Sequence, residues 1–291
     1  MIIDVYKHYV FDYLDLLSQI RLLATCWKFR NELDIIDMYN IDNKYKKLIT
    51  QTIIDRYIYL KKLNISNNSK ITNINHLTHL EILNASWHEC GINNAGMIHC
   101  TNLISLDASF NSKITNINHL EKLEILNASC GDDVGLNDAG IMRCINLKEL
   151  NASNNNEITT VSHFIKLEKL YAGFKCGINN DDLALCTNLK SLYLLGNYKI
   201  TNLNNLVNLE LLCIESCMIN DEGIAKCVNL KELNVPNNER ITTINHLVKL
   251  EKLNAFGYCG INDAGIVQCI NLKELNASEN PKITSVNHLT G

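Results

Sequence analysis

The stretch LKKLNISNNSKITNINHLTH, residues 60–79, recurs along the chain with small changes. Its opening Leu-x-x-Leu appears eleven times, at intervals of 20 to 24 residues. The starts are residues 60, 80, 103, 123, 147, 167, 189, 209, 230, 250 and 272. A period of this length predicts a solenoid, because so short a unit cannot bury its apolar face without stacked neighbours.

Two kinds of unit alternate strictly, and the short one carries a fixed asparagine. When the first Leu is counted as position 1, apolar residues fall at positions 1, 4, 6 and 12, and position 9 is always Asn. The six copies are Asn68, Asn111, Asn155, Asn197, Asn238 and Asn280. An amide at this point can satisfy backbone groups where the chain leaves a strand, so we expect these side chains to be structural.

The long unit, typified by LEKLNAFGYCGINDAGIVQCIN at 250–271, carries a cysteine motif. An Asn or Asp before a short apolar segment predicts a capped helical turn. A Cys then closes the motif, with two residues between it and the next Leu-x-x-Leu. The closing residues are Cys100, Cys144, Cys186, Cys227 and Cys269.

These cysteines are expected to pack rather than to bind metal. Parallel strands lie ~4.8 Å apart, so equivalent cysteines two units apart are roughly 10 Å apart, too far to share a zinc ion or form a disulfide. Val134 replaces a motif cysteine in one copy. Valine can fill the volume of a buried cysteine but cannot bind a metal, so this replacement favours a packing role. Cys213, outside this ladder, is the better candidate for a reactive thiol. No nucleotide-binding loop or catalytic constellation is present, so neither a cofactor nor enzyme activity is expected.

The whole pattern, L-x-x-L-x-L-x-x-N/C, resembles leucine-rich repeats, and the long unit is similar to their cysteine-containing class. The resemblance implies an α/β solenoid over residues 60–291. It would be curved, with eleven parallel strands on the concave face and short helices or 3-10 turns on the convex face.

Outward strand positions on the concave face suggest where a partner binds. Positions 3, 5 and 7 should point outward, and most copies place Asn and Ser there. The middle copies and the strand ends instead carry large apolar residues, a pattern typical of a protein-binding surface. These candidates are Tyr171, Tyr193, Leu195, Leu211, Trp87, Phe110, Phe174 and Phe256. Alternatively, some of these rings fold over the rim and cover core.

Residues 1–42 do not repeat and show helical apolar spacing. This segment resembles the F-box, with Phe11, Tyr13 and Leu14 matching directly. Placed before cysteine-containing repeats, it implies docking to a Skp1-like adaptor. The adaptor-binding residues would be Ile2, Val10, Leu14, Ile20 and Phe29. Alternatively the segment is a helical cap, and residues 43–59 would be a linker that shields the first strand.

Composition narrows the partners. With a net charge of -4 the chain has no global positive field, so nucleic acid is not expected. No apolar run is long enough to span a bilayer, and charges interrupt the N-terminus where a signal peptide would be apolar, so an intracellular location is expected. Richness in Asn, Ile and Lys is typical of an AT-rich genome, such as that of a giant DNA virus or an amoeba.

These observations favour a non-enzymatic adaptor, the substrate receptor of a Skp1-cullin-F-box ubiquitin ligase that holds an unknown target protein on the concave face. The main alternative is a stand-alone repeat scaffold that binds or sequesters a protein without a ubiquitin link. A third class, a GTPase-activating repeat protein, would need an exposed arginine, and Arg143 and Arg240 are available.

Overall fold

In the part of the chain that the structure describes, twelve short strands form one parallel sheet in strict sequence order. The computed structural model describes residues 18–19, 35–41, 46–131 and 135–287. The strands are β1 (Asp37–Met38), β2 (Lys62–Asn64), β3 (Ile82–Asn84), β4 (Ser105–Asp107), β5 (Ile125–Asn127), β6 (Glu149–Asn151), β7 (Lys169–Tyr171), β8 (Ser191–Tyr193), β9 (Leu211–Cys213), β10 (Glu232–Asn234), β11 (Lys252–Asn254) and β12 (Glu274–Asn276).

The second leucine of each Leu-x-x-Leu lies at the centre of its strand and points inward. Leu63 pairs in register with Leu83, which pairs with Leu106, and all three are buried. The leucines therefore stack into one continuous core, which no single unit could form alone. The predicted fold class, a leucine-rich-repeat solenoid with eleven parallel strands, is confirmed by β2–β12.

The sheet begins one strand earlier than the repeat pattern indicates. β1 pairs in parallel with β2, and the backbone N–H groups of Lys61 and Lys62 donate to the Ile36 carbonyl at 2.8 and 3.2 Å. Ile35 and Met38 are buried against the first repeat. β1 thus covers the open end of the core, although it lies in the range that the sequence assigned to the helical segment.

Opposite the strands, each long unit makes a single helical turn. In the long units these are α2 (Asp138–Ile141) and α3 (Asn180–Leu183) and the 3-10 turns at Ala95–Met97, Asp221–Ile224 and Asp263–Ile266, while α1 (Gln51–Ile54) precedes the first repeat. The Asn137 side chain caps α2 by accepting from Gly140 N–H at 2.9 Å, as the motif predicts. Within the described ranges, no helix is long and apolar enough to cross a membrane.

Candidate binding site on the strand face

The strand face consists of the outward side chains at positions 3, 5 and 7 of each unit. In most turns its polar groups bond to one another: Asn127 Oδ1 accepts from the backbone N–H of Ser129 at 3.2 Å and from its hydroxyl at 2.8 Å. The same backbone bond is made by Asn64, Asn84, Asp107, Asn151, Asn254 and Asn276. These side chains therefore have less hydrogen-bonding capacity left for a partner.

The middle turns present aromatic and aliphatic groups at the same positions. Tyr171 and Tyr193 pair in register on β7 and β8, and their rings stack with centroids 4.3 Å apart and planes inclined by 14°. Leu195 and Leu211 are partly buried on the same face. We name these four residues the tyrosine patch. It is a surface of large side chains within a face that is mostly polar elsewhere, where Ile82 and Ile125 hold position 3 of two earlier units.

Lys169 completes the patch and was missed from the sequence. Its Nζ lies 5.0 Å from the ring centroid of Tyr171 and 5.9 Å from that of Tyr193, and forms an ion pair with Glu149 at 3.2 Å. A cation at this distance is attracted to the ring faces and restrains both rings. Burial raises the pKa of Tyr193, so its hydroxyl stays protonated. The available signal was the position of Lys169, two residues before Tyr171 and therefore on the same face.

The aromatic residues at position 8, Trp87, Phe110 and Phe174, have left-handed backbone conformations, with φ of 78°, 55° and 54°. Position 8 is left-handed in most other turns too, where Asn and Gly are common. Large side chains rarely adopt this conformation, which costs about 1–3 kcal/mol. We name these three residues the rim aromatics.

The rim aromatics divide into two groups. Trp87 and Phe110 stack on each other with centroids 5.2 Å apart, far along the chain from the tyrosine patch. Phe174 follows β7 and lies against Gly196, where an added Cβ would meet its ring at 3.3 Å. Trp87 and Phe174 are each 51% exposed, so neither ring is enclosed by the core. Phe256 is partly buried near β11 and lies in a separate turn.

The position 9 asparagines lie inside the solenoid, at most 5% exposed. Asn155 Nδ2 donates to the carbonyls of Ala128 at 2.9 Å and Leu136 at 3.0 Å, while its Oδ1 accepts from Glu157 N–H at 3.0 Å. Asn68, Asn111, Asn197, Asn238 and Asn280 also donate to carbonyls of the preceding turn. The row links each short unit to the unit before it.

The closing cysteines form a second interior row. Cys144 Sγ contacts the Ile117 carbonyl at 3.6 Å, and burial raises the pKa of its thiol to about 12. Cys100, Cys186, Cys227 and Cys269 make the equivalent contact. Among the described residues no group of His, Cys, Asp and Glu could hold a metal ion. Burial also raises the pKa of Cys213, the opposite of what a reactive thiolate needs. Val134 lies outside the described residues.

Histidines occupy one slot of the short unit. The ring Nε2 of His119 lies 3.2 Å from the Met97 carbonyl, and that of His246 lies 3.1 Å from the Ile224 carbonyl. The corresponding Nε2 of His163 is buried without a hydrogen-bond partner. Burial lowers the pKa of both His119 and His163, so the neutral rings are favoured in the folded chain.

The predicted adaptor-binding residues Ile2, Val10, Leu14, Ile20 and Phe29 lie outside the described residues. Arg143 and Arg240 are both exposed, in separate units of the solenoid. Nothing in their surroundings distinguishes either one as a catalytic group.

The parallel sheet, the stacked leucines and the interior asparagine and cysteine rows define the fold of a leucine-rich-repeat solenoid. The chain is similar to an internalin, InlF, from Listeria monocytogenes, with 26% identity and a TM-score of 0.61, over 82% of this chain and 73% of that one. It is also similar in fold to the functional domain of InlJ from the same organism, a domain that includes a cysteine ladder. There the identity is 21% and the TM-score 0.53, over 81% of this chain and only 58% of that one.

Sequence comparisons give no further assignment. No protein-family profile matches the chain. A search of curated proteins likewise finds no match.

Proposed function

We propose that the chain is a non-enzymatic scaffold that binds a partner protein, with the tyrosine patch at the centre of the binding site. The stacked pair of Tyr171 and Tyr193 carries this proposal. It occupies positions that hold Asn or Asp in most other turns. Tyr is enriched at the centres of protein interfaces, because it provides a large apolar area together with a polar hydroxyl.

The rim aromatics support the same function. A strained backbone under a bulky side chain persists where the surrounding structure or a function retains it. Phe174 adjoins the tyrosine patch through the contact with Gly196, and would extend the apolar surface beyond the strand ends. Trp87 and Phe110 would form a second contact toward the N-terminal end, with Phe256 a further one near β11.

We further propose that the scaffold is the substrate receptor of a Skp1-cullin-F-box ubiquitin ligase. Residues 1–42 would dock a Skp1-like adaptor through Ile2, Val10, Leu14, Ile20 and Phe29, and catalysis would belong to recruited proteins. The order of an F-box-like segment before cysteine-containing repeats supports this. Eleven free thiols among the described residues suit a reducing, intracellular compartment.

Co-purification with a Skp1-like protein tests the ubiquitin link. We expect the full chain to retain the adaptor and a variant with Leu14→Asp and Phe29→Asp to lose it, since both changes place charge on apolar contacts. Tyr171→Asn with Tyr193→Asn is the matched control and should retain the adaptor. If the unmodified chain does not bind, the ligase proposal fails and the stand-alone scaffold is favoured.

Site-specific crosslinking tests the binding face. A photoreactive amino acid in place of Leu211, a member of the tyrosine patch, should crosslink a protein in cell extract that the same group at Ser105 does not. Leu211 and Ser105 both hold position 3 of their units and begin β9 and β4, so the backbone around them is the same. The crosslink should disappear when Tyr171→Asn and Tyr193→Asn are added. An identical set of products from both positions would contradict the proposed site.

A further inference from the structure

A row of exposed side chains runs along the solenoid outside the strand face. It consists of the residue two places before each Leu-x-x-Leu, and we name it the flank row. Its first member is Ile58, and the next three are polar: Thr78, Thr101 and Glu121. From residue 145 onward the members are apolar except for Thr187. The apolar members from residue 145 onward are Ile145, Ile165, Val207, Val228, Val248 and Ile270, between 44% and 70% exposed.

Hydrogen bonds show that the members of the flank row lie in adjacent turns. Asn188 Nδ2 donates to the Ile165 carbonyl at 2.7 Å, and Asn229 Nδ2 donates to the Val207 carbonyl at 2.8 Å. Neighbouring members are therefore about one strand spacing apart, ~4.8 Å. Together the six apolar members form a long exposed row that Thr187 interrupts once, and exposed apolar side chains grouped in this way mark an interaction surface.

A charge ladder accompanies the flank row, three residues further along each turn. Lysine and glutamate alternate without exception beside the apolar part: Lys148, Glu168, Lys190, Glu210, Lys231, Glu251 and Lys273. Within the chain, neighbouring turns pair, with Lys190 Nζ 3.0 Å from Glu168 and Lys231 Nζ 2.8 Å from Glu210. The ladder is thus neutral over any two turns but changes sign at every turn.

We propose that the apolar part of the flank row joins two copies of this chain, antiparallel, about a two-fold axis between the turns of Val207 and Val228. With this axis the flank rows of the two copies run in opposite directions, and the charge ladder of one copy still lies opposite the charge ladder of the other. Turn pairs then bring lysine opposite glutamate, with Lys231 of one copy facing Glu210 of the second. A slip by one turn would bring like charges together, which selects this register.

A second copy fits this surface better than a partner of another fold would. The two rows have the same spacing, so their branched side chains can interdigitate along the whole contact, and a self-complementary patch is what a two-fold dimer requires. The polar members Thr78, Thr101 and Glu121 lie outside the contact and end it on one side. This inference is independent of the proposed function, because it uses no residue of the strand face.

Sedimentation equilibrium of the full chain tests the dimer. We expect dimers at about 100 μM, and a dissociation constant at least ~10-fold higher for Val207→Lys with Val228→Lys, which places charge at the axis. Thr78→Lys with Thr101→Lys adds the same charge to the polar part of the row and should leave dimerisation unchanged. A monomeric unmodified chain would overturn the proposal and leave the row to another partner. So would a dimer that tolerates the valine changes.

Charge exchange tests the register. Lys231→Glu creates two like-charge contacts across the axis and should weaken the dimer. Adding Glu210→Lys reverses both partners and should restore most of the affinity. Failure of the double exchange to restore it would exclude this register. The substituted residues Val207, Val228, Lys231 and Glu210 are all exposed. Unchanged circular dichroism and thermal unfolding of the variants would show that folding is preserved.

Discussion

The turns that contain β6 and β8 have the same interior. Both are short units, with the inward leucine at position 4, Leu150 or Leu192, and a buried asparagine at position 9. Asn155 donates to the Ala128 carbonyl and Asn197 to the Ala172 carbonyl, the equivalent residue of the preceding unit. These interior contacts position the two strands in the same way.

The outward side chains of these two turns differ completely. The β6 turn presents Asn151 and Ser153, joined through a bond from Ser153 N–H to Asn151 Oδ1 at 3.0 Å. The β8 turn presents Tyr193 and Leu195, which belong to the tyrosine patch. Inner positions thus determine the scaffold while outer positions can vary with function. The variants below are chosen to test that separation.

The largest effect is expected in the interior, equally in both turns. Asn155→Ala and Asn197→Ala should each lower the free energy of unfolding by about 3 kcal/mol or more, because buried carbonyl and N–H groups lose their partners. Urea denaturation measures this. Asn151→Ala, on the strand face, should cost less than about 1 kcal/mol, because its partner can reach water. Equal losses of unfolding free energy for Asn151→Ala and Asn155→Ala would contradict the separation of a structural interior from a variable outer face.

The next effect concerns binding. Tyr171→Asn with Tyr193→Asn converts the patch to the common side chain and should reduce partner crosslinking at least ~10-fold, since aromatic anchors carry much of an interface energy. Stability should fall by no more than about 1.5 kcal/mol, the upper value for one partly exposed aromatic pair. Crosslink yield and urea denaturation are measured in parallel. A large loss of stability would instead assign the tyrosines to the scaffold.

A smaller effect tests the backbone under the rim aromatics. Trp87→Gly should be more stable than Trp87→Ala by about 1 kcal/mol, because glycine adopts a positive φ without a steric penalty. Ordinarily alanine is the more stabilising of the two, because it restricts the unfolded chain. Denaturation of the two variants side by side decides this. If alanine were better, position 87 would not be strained.

The smallest effect depends on pH. The pKa of His163 is lowered in the folded chain, so the unfolded chain takes up the proton more readily. Its contribution to stability is complete above the unfolded pKa of ~6.5 and is lost as pH falls from that value through the lower pKa of the folded chain. His163→Asn, matching Asn205 in another short unit, should reduce the stability loss between about pH 7.5 and 5.5 by less than about 1 kcal/mol.

The control is His246→Asn. The ring of His246 contacts the Ile224 carbonyl, so this change removes a hydrogen bond, whereas His163→Asn removes a nitrogen that has no partner. Thermal unfolding at the two pH values measures both variants. A His163→Asn chain whose pH dependence equals that of the parent would show that His163 does not contribute.

Strands β2–β12 could be predicted, because each consists of the leucine at position 4 of its unit and the residue on either side of it. β1 could not, because it has two residues and no Leu-x-x-Leu, and forms by pairing with β2. Its existence depends on the presence of a folded edge at β2. Local sequence carries no signal for such a contact.

The outward direction of Tyr171, Tyr193 and Leu211 also followed from alternation along a strand. Ring stacking did not, because side-chain torsions decide whether adjacent tyrosines meet. The left-handed position of Trp87 was recoverable from Asn67 and Gly196, which hold the same position in other units. The flank row was overlooked because its members recur only once per turn, and their apolar character appears when the turns are aligned.

The interior bonds also determine how the length of the solenoid can change. Asn155 of a short unit reaches Leu136 of the long unit before it, and Cys144 of that long unit reaches Ile117 of the short unit before that. A short and a long unit together span 41 to 44 residues. Deleting or duplicating one whole pair recreates the same partners at the new junction, whereas changing a single unit places two units of one kind together. The solenoid should therefore grow or shrink only in steps of two turns.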